Sequence, residues 1–195
     1  YMGGAVVSVV NLFELAAIGG YSNIPVKKGS TEKKASLFIF ASLVAPLGGP
    51  PWFFITGIAG GFGFNRNLPS PELMAQHPFL MVMNGELPFN GKDMAKIKES
   101  LEAIGQQFAP VDGQYWLAAG IQFTCFKVIH GKVVVTVGFG HEFSFGLLGI
   151  LEYSIQPIVH FELAFMMTAD KDKLLLKAGL TPNSYLLDPD IFSLR

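Results

Sequence analysis

At 195 residues the chain is long enough for one domain that buries roughly 70% of its unfolded surface. Half of the residues are hydrophobic, only 15% are charged and mean hydropathy is +0.41, so the fold either is heavily layered or hides apolar surface against a partner, further chain or a lipid. A net charge of −1 with scattered Lys and Arg leaves no basic footprint for nucleic acid, and a single cysteine, Cys125, excludes an internal disulfide.

In chain order, Ala5–Tyr21 reads as one or two strands ending at Gly19-Gly20, and Ser22–Lys34, with four lysines around Gly29-Ser30, as a solvated loop. Ala35–Asn65 then carries no charge at all. About 20 apolar residues span a bilayer as a helix, but Gly48-Gly49-Pro50-Pro51 divides this run and removes two backbone donors. The expectation is two strands, Ser36–Ala45 and Trp52–Phe62, joined through that corner and sandwiched between layers or lining an apolar cavity. Gly57, Gly60, Gly61 and Gly63 mark bends or close approaches in the second arm, without the spacing of a phosphate-binding loop.

Ser70-Pro71-Glu72 predicts a short helix over Pro71–Gln76 that stops before His77-Pro78, with Phe79–Met83 extended behind it. Asn90–Phe108 is the clearest helix: Met94, Ile97, Leu101, Ile104 and Phe108 share one face, Asn90 can cap it, and Pro110 forbids continuation. Trp116–Ile129 and Lys132–Phe145 predict a long hairpin turning at His130-Gly131. Leu147–Gln156 and Ile158–Met167 follow as strands, the second with Val159, Phe161, Leu163, Phe165 and Met167 on one face and His160 and Glu162 on the other. A turn at Asp170–Lys173 returns Leu174–Leu180 as a partner strand, and Asn183–Leu187 adds a short one. The predicted fold class is α+β, dominated by mostly antiparallel sheet with one amphipathic covering helix, in a single domain over residues 1–195.

Gly48-Gly49-Pro50-Pro51-Trp52-Phe53-Phe54-Ile55-Thr56-Gly57, then Gly61-Phe62-Gly63-Phe64-Asn65-Arg66, resembles the signature of a family of large microbial proteins catalogued only as a domain of unknown function. Ala119–Thr124 with Phe126, and Leu180-Thr181-Pro182-Asn183-Ser184-Tyr185, are similar to it in the same order. The resemblance implies a long, β-rich parent protein of which this chain is a fragment. It implies no activity, and no functional residue is carried over.

No nucleophile, metal cage or phosphate loop stands out. The histidines His77, His130, His141 and His160 lack zinc-ligand spacing, and neither acidic cluster, Asp170/Asp172 or Asp188/Asp190, has the pattern of a calcium loop. Neither a metal nor a cofactor is therefore expected. Asn65 and Arg66 end the charge-free arm, where an arginine locks a corner by forking onto carbonyls; the rival role is to hold an anionic ligand. His160 and Glu162, with His141 on a neighbouring strand, form the one conceivable acid–base group. Three functions compete. The first is a non-catalytic β-rich module whose apolar sheet face packs on the remainder of a larger chain, a homo-oligomer partner, or a lipid or other apolar ligand. The others are an enzyme using His160, Glu162 and His141, and a membrane-active β-protein, whose strands should alternate apolar and polar. The apolar alternation-free arms weigh against a water-filled barrel.

Overall fold

The computed structural model describes residues 1–9, 13–25, 32–69, 76–85, 94–155 and 159–186. The β-rich expectation holds. Ten strands form one antiparallel sheet: β1 (Met2–Val9), β2 (Phe13–Pro25), β3 (Lys33–Gly48), β4 (Phe53–Arg66), β5 (Pro110–Cys125), β6 (Ile129–Phe139), β7 (Ser144–Ile155), β8 (Val159–Asp170), β9 (Leu174–Leu180) and β10 (Tyr185–Leu186). Strands β1 to β8 pair in sequence order, and the far side of β8 takes both β9 and β10. Two helices, α1 (Pro78–Met83) and α2 (Met94–Gln107), fill the connection from β4 to β5.

The central arms are strands, and Gly48 pairs with Ile55 across the glycine-proline corner. Strand residues two apart share a face, so alternate positions separate two environments. Ala16 and Ile18 of β2, Phe38 and Phe40 of β3, Trp116 of β5, Val134 of β6, Leu148 and Ile150 of β7, and Ala164 and Met166 of β8 are buried beneath the helices. There Phe38 stacks on Phe108 at 4.0 Å between ring centroids, and Phe40 on Phe79 at 4.2 Å. Trp116 lies against Gly63, its register partner on β4, where a methyl group would meet the indole at 2.1 Å. Glycine on that strand makes room for aromatic rings of its neighbours.

Helix α1 corrects the extended reading of Phe79–Met83. His77 caps it, with Nδ1 accepting from the Phe79 amide at 3.3 Å, and Pro78 occupies the first helical turn. Its terminal carbonyls are satisfied by the sheet: Ser42 Oγ donates to the Val82 oxygen at 3.0 Å and Gln122 Nε2 to the Met83 oxygen at 2.7 Å. Phe79, Leu80, Val82 and Met83 are all buried, so tertiary packing stabilises a helix too short to stand alone. The helix expected over Pro71–Gln76 lies outside the described residues except for Gln76. Among the described residues, two helices rather than one therefore cover the sheet.

Other boundaries also shift. β2 runs through Gly19-Gly20 to Pro25 instead of ending there. The β5–β6 turn is Phe126-Lys127-Val128, with Phe126 and Lys127 at φ 51° and 61°, and His130-Gly131 lies within β6. Gly131 is there because the Phe123 ring covers it, within 2.2 Å of where a methyl would stand. β6 ends at Phe139, where Gly140 turns the chain at φ 128°.

Candidate functional site

Asn65 and Arg66 come together at the end of β4. Asn65 adopts φ 52°, donates from Nδ2 to the Ala35 oxygen and accepts from the Gly113 amide at Oδ1, both at 2.8 Å, and its own carbonyl accepts from Ser36 Oγ at 2.8 Å. Arg66 donates from Nη1 to the Phe108 oxygen at 2.6 Å and from Nη2 to Ser22 Oγ at 2.7 Å, with the guanidinium 5.5 Å from the centre of the Phe38 ring. These bonds tie β2, β3 and the end of α2 to one corner. The guanidinium borders a depression of about 530 Å³ that also includes Tyr1, Tyr21, Glu102 and Gly105, but two of its nitrogens are already engaged by the protein.

His160 and Glu162 share a face of β8, and each serves the segment that follows β9. Glu162 accepts a short hydrogen bond from Thr181 Oγ1 and a 3.3 Å bond from Asn183 Nδ2, while its amide donates to Ser184 Oγ at 3.0 Å. His160 stacks on Tyr185. The Thr181–Tyr185 segment is thereby clamped to β8. His141 does not join them. It sits beyond the opposite end of the sheet, 2.7 Å from the Asp112 oxygen, beside the turn that carries Asp170 and Lys171. The acid–base grouping of His160, Glu162 and His141 is therefore corrected: the length of β8 separates His141 from the other two. Among the described residues no three His, Cys, Asp or Glu side chains gather as a metal site.

His77 is the buried titratable group that the sequence left unassigned. It is 2% exposed, and removal from water lowers its pKa to about 4 against the opposing effect of the Pro69 carbonyl. With Thr136, Leu68 and Met167 it borders a cavity of about 210 Å³.

The largest feature is the face of the sheet away from the helices. Rows read across the register give Gly19–Ile39–Phe62–Leu117–Val137–Phe145–Ala169–Leu174, then Ala17–Ala41–Gly60–Ala119–Val135–Leu147–Met167–Leu176, then Leu15–Leu43–Ile58–Ile121–Val133–Gly149–Phe165–Ala178. No polar side chain interrupts these three rows. The charged and amide side chains of the same strands, Gln122, Lys132, Glu152, Glu162 and Lys177 among them, fall on the helix-covered face. Leu117 is 55% exposed and Ile58 47%. The expectation of arms enclosed between two layers is thus half met: one layer is α1 and α2, and no described residue covers the other face. Eight strands at about 4.8 Å, over the roughly 20 Å of strand that three rows take up, make on the order of 750 Å² in plan, beyond the 300–600 Å² of the largest patch on a typical monomer. Among the described residues no helix is long and apolar enough to cross a membrane.

Neither curated proteins nor solved structures yielded a match to this chain. A described family of unknown function, DUF6603, matches residues 1–195, and the chain belongs to it.

Proposed function

We propose that this chain is a non-catalytic β-rich module that works through its open sheet face, which packs on an apolar surface supplied from outside: another chain, a second copy or an apolar ligand. One observation carries the reading: three consecutive rows without a polar group, on a face that none of the described residues covers. Leaving that area in water would cost roughly 25 cal/mol for each Å² of apolar accessible surface. The polar side chains that chemistry would call on have internal duties: Glu162 clamps the segment after β9, and Arg66 locks the end of β4.

The test compares the wild type with an Ile58→Thr, Leu117→Thr, Ile121→Thr triple variant by sedimentation and by titration with a hydrophobic fluorescent dye. The wild type should self-associate or bind dye, and the variant should lose most of both while keeping its β-type circular dichroism. A wild-type chain that stays a dye-free monomer, indistinguishable from the variant, would refute the proposal.

A further inference from the structure

We infer that the occupant of the open face is the hydrocarbon of a lipid bilayer, which the strands cross between two aromatic rims; this rests on the reading above and names the partner. The amphipathic aromatic residues carry the argument. One row across the open face reads Tyr1–Tyr21–Leu37–Phe64–Tyr115–Phe139, its rings running in contact from Phe64 to Tyr115 at 5.2 Å and on to Phe139 at 5.8 Å. Towards the other end a second row reads Phe53–Cys125–Ile129–Tyr153–Phe161. Trp52 stands exposed in the turn just beyond it; Tyr185, paired with and stacked on His160 at the same end, belongs to the opposite face. The four tyrosines on this face, Tyr1, Tyr21, Tyr115 and Tyr153, lie at one end or the other, and phenylalanine is the only aromatic between them. Tyrosine and tryptophan gather at the two water interfaces of a membrane, where the ring is in hydrocarbon and the polar tip is wet. The Tyr21 hydroxyl follows that rule, bonding Asn23 Oδ1 at 3.0 Å, away from the middle of the sheet.

The spacing fits. The two rows are ten residues apart on both β5 and β6, from Tyr115 to Cys125 and from Phe139 to Ile129. Ten residues rise about 34 Å along an antiparallel strand, which at a tilt of 35–45° projects to about 24–28 Å. The apolar band of a membrane β-barrel is about 25 Å tall. β3, β4 and β5, at 16, 14 and 16 residues, are far longer than the common strand of five or six. The Lys34–Asp112 ion pair lies past the first row, and the Asp170–Lys173 turn starts one residue short of its level and carries Lys171 and Asp172 beyond. The opposite face carries the polar side chains and the helices, as the inside of a plugged barrel does. Two sheets stacked in water need no such sorting of tyrosine from phenylalanine. Free edges are not tolerated in hydrocarbon, so β1 and β9 must then pair with strands of neighbouring copies.

The full chain is folded into dilauroyl phosphatidylcholine vesicles, floated, and washed with alkaline carbonate. Nitroxide labels are placed on native Cys125, and on Tyr115→Cys and Ala119→Cys in a Cys125→Ser background. The wild type should stay with the vesicles through the wash. Collisions with oxygen should dominate at position 119, and collisions with a water-soluble nickel chelate at 115 and 125. Ile121→Lys puts a charge at mid-depth and should lower the vesicle partition constant about thirtyfold or more, yet keep its circular dichroism in detergent micelles, since this side chain faces away from the helices. A wild type that washes off and forms a discrete dimer, with all three labels shielded from both colliders, would overturn the bilayer while leaving a covered apolar face intact. A monodisperse monomer in buffer, with all three labels equally open to the chelate, would overturn both.

Discussion

At the scale of single residues, burial decides what each polar group does. His77 caps α1 from inside the core, and desolvation holds its pKa near 4 rather than 6.5. The sign follows from linkage. Between pH 6.5 and about 4 the unfolded chain binds a proton at this position that the folded chain does not, so its contribution to stability is complete above pH 6.5 and is lost as pH falls towards 4. At 1.36 kcal/mol per pH unit that is on the order of 3 kcal/mol. Urea midpoints of the wild type and of His77→Asn, which retains a capping oxygen, should converge on acidification from pH 7 to pH 4.5; parallel profiles would remove His77 from the account. The charge-free arm ending in Asn65-Arg66 made that corner legible in the sequence, because an arginine emerging from an apolar strand needs local acceptors. Its partners, the Phe108 carbonyl and Ser22, were not legible, since they come from elements 42 and 44 residues away in sequence.

At the scale of elements, periodicity revealed what has a regular period and missed what tertiary contact imposes. The 3.6-residue pattern of α2 predicted a buried stripe, and Ile104 and Phe108 are in the core, whereas Leu101 is half-buried and Ile97 falls outside the described side chains. Ile104→Ala should therefore cost about 2–4 kcal/mol in urea unfolding and Leu101→Ala about half as much or less; an equal cost would place the two on the same packed face. An extended segment was expected where α1 stands, because PFLMVM has no helical period to detect and its carbonyls rely on Ser42 and Gln122 from the sheet. The β5–β6 turn was misplaced for a related reason. Gly131 looked like a turn glycine, but it serves the Phe123 ring across the ladder, and the turn itself uses Phe126 and Lys127 in left-handed backbone.

At the scale of the whole molecule, the sheet is graded from centre to edge. Neighbours in sequence are neighbours in space from β1 to β9, so most contacts follow a simple meander. What the sequence could not show is that the two faces of this meander differ, since helix cover depends on where a 43-residue connection lands. The middle strands have partners on both sides and the α1–α2 layer on one face. β9 has one partner, and every one of its residues is exposed. Opening free energies should follow this gradient, low where apolar contacts are few and high in the core. Amide hydrogen exchange in vesicle-free buffer should therefore be slowest in β4, β5 and β6 and fast in β9. Leu174, Leu176 and Leu180 lie on the same face as Leu163, Phe165 and Met167, so an occupant of the open face should also cover them and slow exchange in β9. Protection of β9 as strong as that of β5 before any apolar partner is added would show that its outer edge already pairs with another strand, and the gradient would have to be abandoned.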